Sequence, residues 1–334
     1  MLRVGFFGAG GIALAHAIAL ARIQGARIEA AADPVLERAE AITSEFGGRA
    51  FGDFHQMFDH VDVVWVCTPP FLHRDHAVAC LNAGKHVFLE KPIALKLDDA
   101  DVILAAAQKN KVKLAVGEMI RFYPVYREMK RLIGSGAIGT PTCVWSRRYE
   151  SSDLAFDPPW RWDPTKSGGY IMEWQTHEIN TVRYIGGNVV SVCAQVHFSP
   201  RLPNYDVTMH SLIEFENGAT GVVDGSVQFA YPFIERGAMG TEATIIARDD
   251  ETLAIRRLDN QEERSYRAPI AAHEGEHGRT TLRRVLENQD FIGAIEEDRA
   301  PLMSGEEARA DLEVALAVHQ SSAEKRMVRL PLRK

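Results

Sequence analysis

A short apolar segment that runs straight into a glycine-rich turn constrains the fold of this 334-residue chain more than any other feature. Residues 2–7 are predicted to form a buried strand and residues 12–24 an alanine-rich helix. Between them, Gly8 permits a tight bend, Gly10 lets the backbone approach a pyrophosphate, and the small Ala13 lets helix and strand pack closely. The helix N-terminus offers N–H groups to the phosphates. The pattern predicts a dinucleotide-binding βαβ unit.

An acidic residue at the end of the next predicted strand, 27–32, indicates which dinucleotide binds. Asp33 lies about twenty residues after Ala13, where a carboxylate can accept hydrogen bonds from both ribose hydroxyls. The same carboxylate repels a 2′-phosphate. The nearest basic residue after it is Arg38, and residues 34–37 carry no cation. The sequence therefore predicts NAD in preference to NADP.

The order of predicted elements divides the chain in two. Up to about residue 120, apolar strands alternate with helices, which indicates parallel strands covered on both faces. We expect an N-terminal Rossmann domain with a doubly wound parallel sheet over 1–122. Over 123–334 we expect a domain for substrate binding and oligomerisation, an open-faced, mostly antiparallel sheet with helices on one face, and its C-terminal segment is a candidate to pack back on the first domain.

Two local features of the second half carry specific predictions. Strands follow one another directly at 142–149, 189–198, 207–216 and 219–229, and Asn217-Gly218 predicts a type I′ hairpin between two of them. One helix, predicted over 169–184, interrupts this series.

Composition and motif spacing exclude several classes of partner. The net charge of −7 and the scattered basic residues argue against nucleic acid and anionic membranes, and no segment is typical of a membrane span. Four separated cysteines without a C-x-x-C pair favour free thiols in a reducing compartment, and we expect a cytoplasmic protein. His16 and the glycines make the uncharged stretch 4–21 a poor signal peptide. The segment His273-Glu274-Gly275-Glu276-His277 formally matches a zinc motif, but its internal glycine and the missing third ligand lead us to predict no metal site.

Four segments of the chain resemble the Gfo/Idh/MocA oxidoreductases, relatives of glucose–fructose oxidoreductase and inositol dehydrogenase. They are the turn from Gly8 to Ala13, Cys67-Thr68-Pro69-Pro70 with His73, the tripeptide Glu90-Lys91-Pro92, and Gly168-Gly169 through Glu173 to His177. The resemblance implies that Lys91 and His177 face the nicotinamide across a cleft, and that the Lys91–Pro92 bond is cis. Many members have Asp in place of Glu173 and Gly in place of Gln175, so inositol specificity is not carried over.

The chemistry of alcohol oxidation gives these residues roles. Removal of the hydroxyl proton needs a base, and burial beside a cation favours the neutral amine of a lysine, while histidine needs little adjustment. We assign proton transfer to the pair Lys91 and His177, either of which can be the formal base, with Glu173 as the partner that orients the imidazole. The predicted cofactor-binding residues are Gly8, Gly10, Gly11, Ile12, Asp33, Thr68, Pro69, His73, Glu90 and Lys91.

A tryptophan-rich loop between 151 and 169 is a candidate for substrate contact. Trp160, Arg161 and Trp162 offer aromatic faces and a fork of donors that suit a carbohydrate, although tryptophans that merely pack explain the loop equally well. Trp174 is a further candidate, and Arg121 matches a family position near the substrate.

These observations predict an NAD-dependent oxidoreductase for a secondary hydroxyl of a sugar, sugar acid or cyclitol. Two alternatives stay open: a redox-cycling glycoside hydrolase or lyase, and a non-catalytic NAD-binding regulatory protein. We expect a small-molecule substrate and a homodimer or homotetramer formed through the C-terminal sheet.

Overall fold

The computed structural model describes residues 1–152, 159–202, 204–248, 250–267 and 276–332, with the side chains of 276–281 excepted. The chain forms two compact units, one of residues 1–119 with 271–309 and one of 120–270 with 310–334. Numbered along the chain, the described strands are β1 (Leu2–Phe7), β2 (Ala26–Ala32), β3 (Arg49–Phe51), β4 (Val63–Val66), β5 (His86–Glu90), β6 (Leu114–Gly117), β7 (Pro141–Ser151), β8 (Val189–Phe198), β9 (Asp206–Phe215), β10 (Thr220–Ser226), β11 (Gln228–Gly240), β12 (Ala243–Ala247), β13 (Thr252–Arg257), β14 (Glu263–Arg267) and β15 (Val328–Arg329). The described helices are α1 (Gly11–Leu20), α2 (Leu36–Phe46), α3 (His73–Asn82), α4 (Leu97–Asn110), α5 (Pro124–Gly134), α6 (Pro164–Ser167), α7 (Thr176–Gly186), α8 (Glu276–Glu296) and α9 (Gly305–Glu324).

The first unit is built on a six-stranded parallel sheet in the order β3-β2-β1-β4-β5-β6. This is the strand order of a doubly wound Rossmann fold, and the order reverses between β1 and β4. Apart from the short edge strand β3, the strands are mostly buried because helices cover the sheet. Helix α8, from late in the chain, belongs to this unit, and its Phe291 ring lies 5.7 Å from the Trp65 ring and 5.8 Å from the Phe88 ring. The predicted N-terminal fold is confirmed.

The second unit contains a nine-stranded sheet in the order β14-β13-β12-β11-β7-β10-β9-β8-β15. Its pairings are antiparallel except for β7 with β10, which is parallel. Helix α7 packs on one face, where a side chain at Gly186 would come within 2.5 Å of the Phe215 ring. On the other face, Leu212 is 55% exposed. The predicted open-faced, mostly antiparallel sheet is confirmed.

Two local predictions in this sheet need correction. The strand predicted over 219–229 is two strands, β10 and the start of β11, which are separated at Val227. The hairpin between β9 and β10 exists, but its turn is not type I′, because Gly218 has a positive φ of 82° whereas Asn217 does not. The N–H of Gly218 donates to the carbonyl of Phe215, which makes a three-residue loop with glycine at the left-handed position.

None of the described helices combines the length and the apolar character that crossing a lipid bilayer requires.

Candidate functional site

The glycine turn of the first unit is shaped for close approach by a ligand. Gly8 has a φ of +86°, and a Cβ there would lie 2.9 Å from the carbonyl oxygen of Cys67, so only glycine fits. A Cβ added at Gly10 or Gly11 would meet nothing within 4 Å. Helix α1 begins at Gly11 without a side-chain cap, which leaves the N–H groups of its first turn for an anion. Ile12, half-buried, packs against the core behind this turn.

Asp33 ties this turn to the loop that follows β2. One carboxylate oxygen accepts a hydrogen bond from the N–H of Ala9 at 2.9 Å, and the other accepts one from the N–H of Val35 at 2.9 Å. Each oxygen keeps a second lone pair, so the carboxylate can also accept from a ligand hydroxyl. The position is that of the ribose-binding carboxylate in a Rossmann unit.

His73 joins the loop after β4 to the turn after β5. The side chain is fully buried, with Nδ1 2.7 Å from the carbonyl oxygen of Pro92 and Nε2 2.7 Å from that of Thr68. Burial lowers the pKa of His73, although both carbonyl oxygens favour the protonated ring. The loop also holds Pro69, and the hydroxyl of Thr68 is 3.1 Å from Nδ1 of His76. In the first unit, His73 therefore fixes the backbone beside Lys91.

The tripeptide Glu90-Lys91-Pro92 follows β5 at the carboxyl edge of the parallel sheet, the edge on which the glycine turn lies. The Lys91–Pro92 bond is cis, as the family resemblance implies. One Glu90 oxygen, Oε1, is 2.8 Å from Nε2 of His16, and Oε2 accepts from the N–H of Lys91 at 3.2 Å. Sequence reasoning missed the contact with His16; a polar residue on the buried side of an apolar helix was the available signal.

Glu173 and His177 lie in the second unit, on the helix predicted over 169–184, which is present and contains a π-helical distortion. Residues Ile171–Gln175 form one π-helical turn, and α7 follows from Thr176. Asp206 accepts hydrogen bonds from the N–H groups of Tyr170 and Ile171, and thereby holds the start of this turn. Because π-helical turns are rare and concentrate at functional sites, this distortion marks the segment. Glu173 and His177 are both buried.

The tryptophan-rich loop meets Glu173 within the second unit. Nε of Arg161 is 3.9 Å from Oε1 of Glu173, and its guanidinium lies 5.4 Å from the Trp160 ring centre. Trp162 and Trp174 pack against an apolar cluster whose members include Tyr205, and the Trp162 and Tyr205 rings are 5.6 Å apart. Sequence reasoning did not identify Tyr205, which has no spacing relation to the loop.

Arg121 is buried beneath α7. Its Nε donates to Oδ1 of Asn180 at 2.9 Å, and its guanidinium lies 5.3 Å from the Tyr184 ring centre. Asn180 in turn donates to Asp311 of α9. The structure thus brings Arg121 to the elements that support the His177 helix, and its role toward a substrate stays a prediction.

A buried ion pair also holds α7. Glu178, next to His177, receives two 2.7 Å hydrogen bonds from Arg236 and one from the hydroxyl of Ser146. Burial opposes the charge, but Arg236 and Arg148 lower the pKa of Glu178 to about 2. Sequence reasoning missed this pair, since Arg236 lies on a distant strand.

No group of His, Cys, Asp and Glu side chains within the described part of the chain is arranged to hold a metal ion. The segment His273-Glu274-Gly275-Glu276-His277 lies outside the described residues, apart from the backbone of its last two.

The parallel sheet, its glycine turn and Asp33 define a dinucleotide-binding protein. Comparison with known families agrees: residues 2–118 match the model of the oxidoreductase family with an NAD-binding Rossmann fold, and residues 126–246 match the Gfo/Idh/MocA C-terminal domain. The chain belongs to the Gfo/Idh/MocA family of oxidoreductases.

Individual relatives span most of the chain. It is 29% identical to myo-inositol 2-dehydrogenase of Thermotoga maritima, over 98% of both chains. It is 32% identical to the uncharacterised oxidoreductase YrbE of Bacillus subtilis, over 73% of this chain and 72% of the relative. Among solved structures, levoglucosan dehydrogenase in complex with NADH and levoglucosan has the same fold, with a TM-score of 0.89 and 24% identity over 99% of this chain and 100% of that one.

Proposed function

We propose that the protein is an NAD-dependent dehydrogenase that transfers a hydride between a secondary hydroxyl of a sugar, sugar acid or cyclitol and nicotinamide. The observation that carries this proposal is the position of Glu90-Lys91-Pro92, at the same sheet edge as the open glycine turn. The match to an inositol dehydrogenase over 98% of both chains supports the CH–OH substrate class. The relatives reported above include no glycosidase and no regulatory protein, and the described residues favour neither alternative.

Residues of the first unit fit a dinucleotide. Uncapped N–H groups at the start of α1, with open space over Gly10 and Gly11, suit a pyrophosphate. Bound NAD⁺ would supply the hydride acceptor. We propose that Asp33 also selects NAD over NADP, because its carboxylate is held by two N–H groups and would repel a 2′-phosphate.

Proton transfer is assigned to Lys91 and His177, with Glu173 as orienting partner. Lys91 is fixed by its backbone bond to Glu90 and by His73, which holds the carbonyl of Pro92. His177 lies at the first turn of a helix that the Glu178–Arg236 pair and Asp206 hold in place. General acid–base catalysis requires such fixed groups, because a proton moves only across a short hydrogen bond.

Substrate contact is assigned to the tryptophan-rich loop and its neighbours. Arg161 lies over the Trp160 ring and presents donors, and Glu173, 3.9 Å from Arg161, presents an acceptor; this combination suits sugar hydroxyls and the C–H face of a sugar ring. Trp162, Trp174 and Arg121 complete the predicted set.

The open face of the second sheet is assigned to self-association. Directly paired residues of four adjacent strands, Cys193, Leu212, Val222 and Trp145, form an apolar row on the face away from α7. An apolar sheet face of this kind is typical of an oligomer interface. A homodimer or homotetramer through this face, and a cytoplasmic location, remain predictions.

The experiment is a panel of sugars, polyols, inositols and their acids incubated with the protein and NAD⁺. We expect NADH absorbance that rises in proportion to ketone product for at least one compound. Tight NAD binding without turnover on the whole panel, or product without NADH, would contradict the proposal.

A further inference from the structure

A chain of buried and partly buried hydrogen bonds in the first unit runs from the core to the backbone of Lys91. Nε1 of Trp65 is 3.2 Å from Oδ1 of Asn288, the same oxygen is 2.9 Å from Nδ1 of His16, and Nε2 of His16 is 2.8 Å from Oε1 of Glu90. The second Glu90 oxygen accepts the N–H of Lys91 at 3.2 Å. Trp65, His16 and Asn288 are wholly buried.

The chemistry of this chain determines where its protons lie. An indole N–H can only donate, so the Asn288 atom that faces Trp65 is the carbonyl oxygen. Because that oxygen can only accept, Nδ1 of His16 carries a proton. The contact between Nε2 and Glu90 then contains one further proton, which makes the pair either imidazolium with carboxylate or imidazole with carboxylic acid.

The surroundings of Glu90 favour the ionised pair. Burial raises the pKa of Glu90, but the hydrogen bond from His16 and the nearby positive charges outweigh it and leave the pKa below its ordinary value. Burial and the neighbouring carboxylates Glu90 and Glu118 raise the pKa of Glu287, on α8. The titratable groups that interact with Glu90 are His16, Cys67, His73, Lys91, Arg284 and Glu287, and Glu287 interacts in turn with Glu118.

The position of the Glu90 carboxylate is also set sterically. A Cβ at Gly117, on the neighbouring strand β6, would lie 3.2 Å from Oε1 of Glu90, so the carboxylate rests directly on the glycine. His16 and Gly117 both contact the Oε1 side of the carboxylate, while Oε2 accepts the N–H of Lys91.

We propose that His16 is a positioning residue for Lys91, and that its imidazolium, oriented by Asn288, holds the Glu90 carboxylate against the Lys91 N–H. The proposal rests on the proposed function, in which Lys91 moves a proton. In this proposal, His16 of α1 acts on the reaction without touching a substrate. Glu90 links His16 to Lys91.

The first test observes the protonation of His16 directly. Nitrogen NMR of histidine-labelled protein should show His16 with both ring nitrogens protonated at neutral pH, and Glu90→Gln should remove that signature because the carboxylate partner is gone. A neutral His16 at neutral pH would overturn the proposal. His16→Gln serves to assign the signal.

The second test uses kinetics. In His16→Gln, a neutral donor replaces the imidazolium, so kcat should fall by roughly ten- to a hundredfold, as for other supporting hydrogen bonds, with little change in NAD affinity. The acid limb of the kcat–pH profile should move to higher pH, since Glu90 then protonates more easily; a purely structural loss would not move it. His60→Gln is the matched control, because His60 precedes the amino end of β4, whereas Lys91 follows the carboxyl end of β5.

An unmoved acid limb in folded His16→Gln would overturn the positioning role. If that variant does not fold, Glu90→Gln replaces it, and an unchanged kcat there would overturn the role equally. Wild-type turnover by Lys91→Ala would instead overturn the proposed function, so the two failures are distinguishable.

Discussion

At the scale of single residues, the site depends on buried charges that the fold holds in one place. Asp33, Glu90 and Glu178 each accept at least two hydrogen bonds from fixed donors. The free-energy cost of keeping such carboxylates ionised is small, because their hydrogen-bond donors are already in position.

Replacement of Asp33 tests the choice of dinucleotide. Asp33→Asn keeps one acceptor oxygen but removes the charge and turns an amide N–H₂ toward a backbone donor. We expect the ratio of kcat/KM for NAD to that for NADP to fall by about tenfold or more, equivalent to about 1.4 kcal/mol. Steady-state kinetics with both cofactors measures this ratio, and an unchanged value would contradict the role of Asp33.

Replacement of Arg236 tests the buried pair beside His177. Arg236→Met leaves the Glu178 carboxylate buried without its main partner and should lower the free energy of unfolding by about 3–5 kcal/mol. The double variant Arg236→Met/Glu178→Gln is the control, and urea titration should show it to be more stable than the single variant. Equal stabilities would show that the pair contributes no coupling.

The same pair predicts a pH dependence. The pKa of Glu178 is about 2 in the folded chain, against an ordinary value of 4.5. Because the folded pKa is the lower one, the stabilisation is complete above 4.5 and is lost as the pH falls toward 2. Between pH 2 and 4.5, the free energy of unfolding of the Glu178→Gln variant should depend less on pH than that of the wild-type chain.

At the scale of elements, the sequence predicts regular pieces well and irregular ones poorly. The turn from Gly8 to Ala13 and the Asp33 position could be predicted because their spacing is local. The π-helical turn Ile171–Gln175 could not, since Asp206, which holds its start, lies on a strand far along the chain. The type I′ prediction at Asn217-Gly218 was wrong for a related reason: the register of β9 and β10 requires a three-residue loop, which the dipeptide alone does not reveal.

A glycine-to-alanine substitution tests the start of the π-helical turn. Gly169 has a φ of +82°, and a Cβ there would lie 1.8 Å from Oδ1 of Asp206. Gly218 has the same φ of +82° with nothing within 4 Å, so Gly218→Ala isolates the backbone strain of about 1–2 kcal/mol. Gly169→Ala should cost clearly more stability and also lower kcat, because it displaces Glu173 and His177; equal effects in both variants would argue against the Asp206 contact.

At the scale of the whole molecule, the chain combines a cofactor-binding unit with a unit that presents an open sheet. The first unit is not continuous in sequence: helix α8, from late in the chain, completes its core around Trp65. The sequence predicts the C-terminal segment only as a candidate to pack back on the first domain, because the contact of Phe291 with Trp65 has no local signal.

A charge on the open sheet face tests self-association. Leu212→Arg places a cation within the apolar row of Cys193, Val222 and Trp145. Sedimentation should show a dimer or tetramer for the wild-type chain and a smaller species for the variant, with folding unchanged because Leu212 is 55% exposed. A wild-type monomer, or a variant of unchanged size, would contradict the proposed interface.

The reaction itself is tested most directly by Lys91→Ala, measured as the rate of NADH formation on the best substrate of the panel together with NAD affinity. We predict that turnover falls by at least about a hundredfold while NAD still binds, because the variant removes a proton-transfer group but leaves the glycine turn and Asp33 in place. Turnover near the wild-type rate would contradict the assignment of Lys91 to the reaction.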